Sequence, residues 1–409
     1  MAWALVRTNR DYRLLLSASS VSNLGDGILA VALPWLATLL SGNAMLVAAV
    51  ATAQRLPWFL FSLPAGVWTD RVDRRLLLVR ADMVRVALMA VTVAMVLSQP
   101  AVPGAGPILV LVLVAFLIGS AEVVRDNAAQ TLLPSIVAPD DLERANGQMW
   151  SAEQVAGQFA GPPLAGLLIG AGVALPFGLD ATIYALAAGL VWMIVLPPRA
   201  PGRHAGFWPA LREGLVWMRR NPAILRLAIM LGVINAVFTG GTTILVLYAQ
   251  EVLGLSAAGF GVLLTFGALG GVAGGLLAPR VAARLGMRTS LLVALAVFVG
   301  LNLLLGLGRS PALAAAALFL EAASGMLWNV VTVSYRQRLI PDDLLGRVNS
   351  VYRFFGWGAM PFGAMGAGAL VTALAPAIGR EAALHAPYLV AAAVCAGLTV
   401  YAVLRLRFD

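Results

Sequence analysis

The chain has 409 residues, of which 60% are hydrophobic and only 11% are charged, and its mean hydropathy is +0.88. Soluble proteins carry about 25% charged and about 45–50% apolar residues, so this composition excludes a soluble protein and predicts an integral membrane protein. The formal net charge is +9, and all 28 basic residues are arginine. The absence of lysine excludes a nucleotide-binding loop of the G-x-x-x-x-G-K-[ST] type and Schiff-base catalysis by lysine.

Long apolar runs recur along the whole chain. About 20 apolar residues in an α-helix cross a bilayer core that is about 30 Å thick. Runs of that length predict an all-α membrane protein with twelve transmembrane helices. The predicted spans are 12–40, 45–67, 76–98, 107–130, 146–170, 174–196, 223–250, 256–278, 289–308, 311–335, 350–375 and 384–405.

The loop arginines indicate the orientation of these spans. When successive loops are assigned to alternating sides, nearly all arginines fall on one side, and the other side has only Arg309 and Arg380. Positively charged loops stay in the cytoplasm, so we expect both termini on the cytoplasmic side of the inner cell membrane. The arginines are dispersed over many short loops, which argues against a nucleic-acid-binding module.

A polar stretch at residues 197–222 separates the first six spans from the last six. It begins with prolines and continues with aromatic residues, leucines and arginines, a pattern typical of an amphipathic helix on the membrane surface. The segment 139–147 recurs in similar form at 341–350, which indicates two related halves in parallel orientation. We therefore expect two pseudo-symmetric six-helix bundles, 1–196 and 223–409, joined by a linker at 197–222.

The loop after the second span carries the most specific motif. Residues 66–75 read GVWTDRVDRR, which closely resembles the loop signature of the major facilitator superfamily. In that superfamily the loop latches the two halves together when the central cavity faces outward. The resemblance therefore implies the major facilitator fold and a latch made by Gly66, Asp70, Arg71, Arg74 and Arg75.

The fifth span contains small residues at four-residue spacing followed by proline. This pattern is similar to the glycine-proline signature of exporters in the same superfamily. A kinked packing helix without influence on transport direction is the alternative, because small residues also allow close helix packing and proline bends a helix. The residues concerned are Gly157, Gly161, Pro162 and Gly166.

Three further motifs resemble the drug:proton antiporter-3 branch, which includes macrolide and siderophore exporters. They are the opening segment 9–13, the pair Asp82 and Arg85, and the loop 139–146. The resemblance covers essentially the whole chain. It implies an alternating-access multidrug transporter that exports small hydrophobic or amphiphilic compounds by proton antiport, without a cofactor. A lipid or lysophospholipid flippase and a non-transporting membrane sensor or scaffold stay open as alternatives.

Several charged residues fall near the middle of predicted spans. A charge at the centre of a span costs about 2.5–3.5 kcal/mol on insertion scales, so these residues are candidates for proton coupling. For Asp26, a titrating site and a static ion pair with Arg55 are both open interpretations. Asp82 and Arg85 are three residues apart and share a helix face. The candidates are Asp26, Arg55, Asp82, Arg85 and Glu321.

Polar and aromatic residues on the first, fourth, seventh and tenth spans are expected to line a central cavity. Aromatic walls with few polar groups suit a bulky amphiphilic solute. We expect a monomer whose partners are that substrate and membrane lipids. We expect neither an enzyme nor a metal site, because no catalytic set or ligand cluster stands out. The cavity candidates are Asn23, Trp35, Asn235, Phe238, Trp328 and Asn329.

Overall fold

The computed structural model describes residues 4–98, 105–196 and 207–406, and within them the side chains of 62–71 and of some other helical positions lie outside the description. Every regular element in the described part of the chain is helical, which confirms the all-α prediction. The chain divides into two units. The first comprises residues 1–202 and 256–265, and the second comprises 203–255 and 266–409. The predicted domain limits stay a prediction.

The first unit is built from long helices interrupted near its fifth predicted span. There the backbone passes through a short 3₁₀ turn (Pro139–Asp141), a helix, a π-helical segment (Gln154–Ala160) and a further helix. The α-helices are α1 (Ala4–Thr8), α2 (Arg10–Leu40), α3 (Ala44–Arg71), α4 (Arg74–Ser98), α5 (Ala105–Ile136), α6 (Leu142–Glu153), α7 (Gly161–Ala171) and α8 (Leu175–Trp192).

The second unit contains the remaining helices, except that Ser256 and the first residues of the longest helix, up to Thr265, group with the first unit. Its helices are α9 (Phe207–Arg220), α10 (Pro222–Glu251), α11 (Ala257–Leu307), α12 (Pro311–Leu339), α13 (Asp342–Gly358), α14 (Met360–Ile378) and α15 (Arg380–Arg405).

Nine helices among the described residues are long and apolar enough to cross a membrane. One of them, α11, has 51 residues, and at 1.5 Å per residue it is more than twice as long as a bilayer core is thick. Its backbone leaves the helical region at Gly286, where φ is 73°, a conformation that favours glycine. Two predicted spans, 256–278 and 289–308, therefore lie in this one element. The count of twelve spans stays a prediction.

The linker helix α9 is packed into the second unit. Met218 is fully buried in the core of that unit, and Leu215 and Trp217 pack against the same core. Glu213 Oε2 accepts a hydrogen bond from Arg347 Nη1 at 2.6 Å. The amphipathic helix expected from the sequence is therefore joined to α13 by both apolar contacts and an ion pair.

The glycines of the fifth predicted span bring backbones into contact. A Cβ atom on Gly161 would lie 2.5 Å from the Cα atom of Gly27 on α2, and one on Gly166 would lie 2.6 Å from the carbonyl oxygen of Ala257. Pro162 stands in the first turn of α7, where a helix has no need of its N–H group. The irregular part of the backbone is the π-helical segment, which ends at Ala160 and so lies before this proline.

We expect Gly161→Ala to lower the stability of the protein by about 1–3 kcal/mol, because the added methyl group forces two backbones apart. Gly170→Ala is the matched control on the same helix, since nothing lies within 4 Å of a Cβ at that position. Alanine there should be neutral or stabilising by up to about 1 kcal/mol, because alanine favours a helix over glycine. Thermal unfolding of the purified protein in detergent measures both. Equal midpoints for the two variants would refute the close-packing interpretation.

Candidate functional site

Arg85 lies at the centre of a buried polar cluster in the first unit. Its Nη1 atom donates a hydrogen bond to Ser22 Oγ at 3.0 Å and lies 3.5 Å from Asp82 Oδ1. Its Nη2 atom contacts Asp26 Oδ1. One guanidinium on α4 therefore bridges a carboxylate of α2 and a carboxylate of its own helix, one turn away.

Tyr184 on α8 closes the arrangement around Asp26. Its hydroxyl accepts a hydrogen bond from Arg85 Nη2 at 3.0 Å and donates one to Asp26 Oδ1 at 3.0 Å. The Cζ atom of Arg85 lies 3.8 Å from the centroid of the Tyr184 ring, within the range of a cation–π contact. The tyrosine thus holds both partners of the Asp26–Arg85 ion pair.

Arg125 on α5 extends the cluster on its other side. Its Nε atom donates to Asp82 Oδ1 at 2.9 Å, and its Nη2 atom donates to the carbonyl oxygen of Ala18 at 3.4 Å. Asp26, Arg85, Asp82 and Arg125 therefore form a row of alternating charges, which we call the ion-pair chain. With all four groups ionised, the formal charge of the ion-pair chain is zero.

Exposure differs sharply along the ion-pair chain. The side chains of Asp82 and Arg85 are 0% exposed and that of Arg125 is 3% exposed, whereas Asp26 is 30% exposed. Asp26 is therefore the most accessible member of the ion-pair chain. Within the described residues, Asp82 Oδ2 has no hydrogen-bond partner, which leaves Asp82 with capacity for a further donor.

Asp180 lies one helical turn from Tyr184 on α8. It is fully buried, and in the described part of the chain neither of its carboxylate oxygens has a hydrogen-bond partner. A buried polar group without a partner costs free energy, and ionisable groups in such positions within membranes are candidates for proton relays. The sequence did not single out this residue as functional.

Arg55 is not the partner of Asp26 in the structure. Asp26 pairs with Arg85, so the alternative of a static Asp26–Arg55 pair is wrong, and the Arg55 side chain is exposed. The predicted Asp82–Arg85 contact across one helical turn is present.

The latch residues are described only in part. The side chains of Gly66, Asp70 and Arg71 lie outside the described residues. Arg74 donates to the carbonyl oxygen of Thr131 and, at 3.1 Å, to Ser135 Oγ, both on α5. Arg75 donates to the carbonyl oxygen of Ile194 at 3.1 Å, and its Cζ atom lies 5.2 Å from the Trp192 ring centroid. These two arginines thus fasten the start of α4 within the first unit.

The cavity candidates do not share one environment. Asn235 and Phe238 line a cavity of about 150 Å³ in the second unit, together with Glu321. Trp328 is only 3% exposed and belongs to the core of that unit, whereas Asn329 is exposed.

The two candidates on α2, Asn23 and Trp35, are both partly buried in the first unit. The Trp35 ring lies 6.2 Å from that of Phe260. The backbone carbonyl oxygen of Asn23 lies 3.2 Å from the position that a Cβ atom on Gly157 would occupy.

Sequence reasoning missed three members of the cluster. Ser22 and Tyr184 are uncharged, and Arg125 lies near the end of its predicted span, 107–130. A usable signal was present for Ser22, because it lies four residues before Asp26 and therefore on the same helix face. No comparable signal connects Tyr184 to Asp26, since they lie on separate helices.

The all-helical architecture, with nine apolar helices of membrane-spanning length among the described residues, defines a polytopic membrane protein. Structural similarity agrees: a bacterial homologue of the iron transporter ferroportin matches with a TM-score of 0.76 at 16% identity, over 96% of this chain and 98% of that chain. The chain belongs to the transmembrane secretion effector family, whose model matches residues 1–407. This is a family of transporters and not of enzymes.

Two relatives are named as efflux proteins. The multidrug efflux pump Tap of Mycobacterium tuberculosis is 29% identical over 425 residues, covering 96% of this chain and 93% of the pump. Macrolide efflux protein A of Streptococcus pyogenes is 22% identical over 219 residues, covering 52% of each chain.

Proposed function

We propose that this multi-pass membrane protein exports small hydrophobic or amphiphilic compounds, such as drugs or antibiotics, in exchange for protons. The efflux relatives support the export of small molecules. The observation that carries the proton coupling is the partial exposure of Asp26 at one end of an otherwise buried ion-pair chain. The proton gradient is the energy source in this proposal, and no cofactor takes part.

Protonation of Asp26 changes what Arg85 can bind. A neutral carboxyl group attracts the guanidinium less strongly than a carboxylate does. Arg85 then moves toward Asp82, whose Oδ2 atom has no partner among the described residues. Because Asp26 lies on α2 and Arg85 on α4, this shift loosens α2 from α4. Release of the proton restores the original contact.

Asp180 supplies a second carboxyl group beside this exchange. It lies on α8 one turn from Tyr184, which contacts both Asp26 and Arg85. In our proposal Asp180 is a proton carrier that exchanges with Asp26 through the Tyr184 hydroxyl. Its complete burial supports this role, since proton access then depends on the conformation of the protein.

The remaining expectations complete the proposal. Both termini lie in the cytoplasm, and twelve spans form two six-helix bundles of a monomer. The loop at 66–75 latches the halves together, and the fifth span carries the export-type packing face.

Flux into proteoliposomes with an imposed pH gradient tests the proposal. The panel contains a macrolide, a cationic dye and a neutral amphiphile, and each compound is measured with and without the gradient. We expect gradient-driven uptake of at least one compound into inside-out vesicles. The coupling hypothesis fails if Asp26→Asn leaves gradient-driven transport of every accepted compound intact. Movement of lysophospholipid without dependence on the gradient would favour the flippase alternative.

A further inference from the structure

The second unit contains a cavity of about 150 Å³ between α10, α11, α12 and α15. Its polar lining residues are Asn235, Asn302 and Glu321, and its apolar wall includes Phe238 and Phe298. These residues come from distant parts of the sequence, so the fold alone creates the site. It is separate from the ion-pair chain, which lies wholly in the first unit.

Glu321 places a carboxyl group in the lining of this cavity. The residue is 9% exposed, and it lines the cavity together with Asn302. Within the described residues it makes no ion pair, and no arginine or histidine lines the cavity. An unpaired carboxylate in a membrane protein is costly, and a positively charged ligand would offset that cost.

We infer that this cavity binds the ammonium head group of cationic amphiphiles. The inference rests on the proposed export function, because it names a class of exported substrate. Glu321 is the counter-charge, and the carbonyl oxygen of an amide such as Asn302 can accept a hydrogen bond from a protonated amine. The rings of Phe238 and Phe298 offer faces for cation–π contact with alkylammonium groups.

The size and composition of the cavity favour an organic cation over a metal ion. A water molecule occupies about 30 Å³ in the liquid, so the cavity has the volume of about five waters. Sites for whole drug-sized ligands measure about 300–1,000 Å³, so only the head group fits. Hard metal ions require about six oxygen ligands, whereas this lining has one carboxylate, and no group of three metal-ligating side chains occurs among the described residues.

Cys395 provides a test that does not depend on transport. It is the only cysteine of the chain, and it lines the cavity. The purified protein in nanodiscs is treated with 2-aminoethyl methanethiosulfonate, which is cationic, or methyl methanethiosulfonate, which is neutral. Each rate is divided by the rate of the same reagent with free cysteine. The normalised rate of the cationic reagent is then divided by that of the neutral reagent. This ratio cancels differences in thiolate content and reports the preference of the cavity for positive charge.

We expect the wild-type protein to prefer the cationic reagent by about tenfold, a difference of about 1.4 kcal/mol. Glu321→Gln should reduce the preference to near one, while Glu381→Gln, which removes a carboxylate of α15 that is 49% exposed, should retain it. Dodecyltrimethylammonium should slow labelling of the wild type, and the uncharged detergent dodecyl maltoside should not. Cys395→Ser gives the background.

Two results would overturn the inference: a preference unaffected by Glu321→Gln, or a Cys395 that neither reagent reaches. A separate outcome concerns the proposed function. Charge-selective labelling without transport of any compound would leave the cation site standing and refute the export proposal.

Discussion

Replacement of Arg85 by methionine is expected to destabilise the protein by about 3–5 kcal/mol and to abolish gradient-driven export. The variant removes the guanidinium that donates to both Asp26 and Tyr184. The Asp26 carboxylate is then left without a counter-charge. Breaking a buried ion pair from one side costs this much because an uncompensated charge stays behind. Asp82 keeps its contact with Arg125, so the damage should be confined to the Asp26 end. Thermal unfolding in detergent and the yield of monodisperse protein measure the effect.

A double variant separates lost charge balance from lost packing. Asp26→Asn combined with Arg85→Met removes one negative and one positive charge, so the remaining Asp82–Arg125 pair is neutral. We expect the double variant to recover most of the stability lost by Arg85→Met and to remain inactive in gradient-driven export. If Arg85→Met unfolds at the same temperature as the wild type, the ion-pair chain does not stabilise the fold as described.

Asp26→Asn alone is expected to uncouple transport from the pH gradient. Asparagine has nearly the same shape and can still accept hydrogen bonds from Arg85 and Tyr184, but it does not exchange a proton. Accumulation driven by the gradient should fall to the level of protein-free liposomes. Counterflow of labelled against unlabelled substrate should continue, because it requires substrate binding and alternating access but no net proton movement.

The matched control for Asp26→Asn is Glu381→Gln, which neutralises an exposed carboxylate paired with Arg309. It should transport as the wild type does, because exposed ion pairs contribute little. A pH-dependent accumulation that survives in Asp26→Asn would contradict the assignment. Loss of both accumulation and counterflow would show that Asp26 is needed for substrate binding or for the conformational change itself.

The sequence identified the charges of the site more reliably than their partners. Asp26, Asp82 and Arg85 stand out because charged residues near the middle of apolar runs are rare and costly. Depth along a helix can be estimated from residue counts, but the direction in which a side chain points toward another helix cannot. Pairing Asp26 with Arg55 used depth alone, and the structure instead pairs it with Arg85.

The fold class followed from composition and periodicity, whereas local irregularities did not. The membrane character and the all-helical architecture result from apolar content that is repeated throughout the chain. The π-helical segment before Pro162 packs against α2, and hydropathy reports neither its conformation nor this contact. The Glu321 cavity combines residues of four helices far apart in the sequence, so no local pattern indicates it.

The alternating order of Asp26, Arg85, Asp82 and Arg125 has an electrical consequence. Arginine keeps its proton in proteins, so the two cations are permanent and only the carboxylates change charge. A proton added to Asp26 turns a neutral row into one of net charge +1. Moving one elementary charge across a membrane potential of 100 mV involves about 2.3 kcal/mol. The membrane voltage, and not only the pH difference, should therefore bias the conformation in which this proton is taken up.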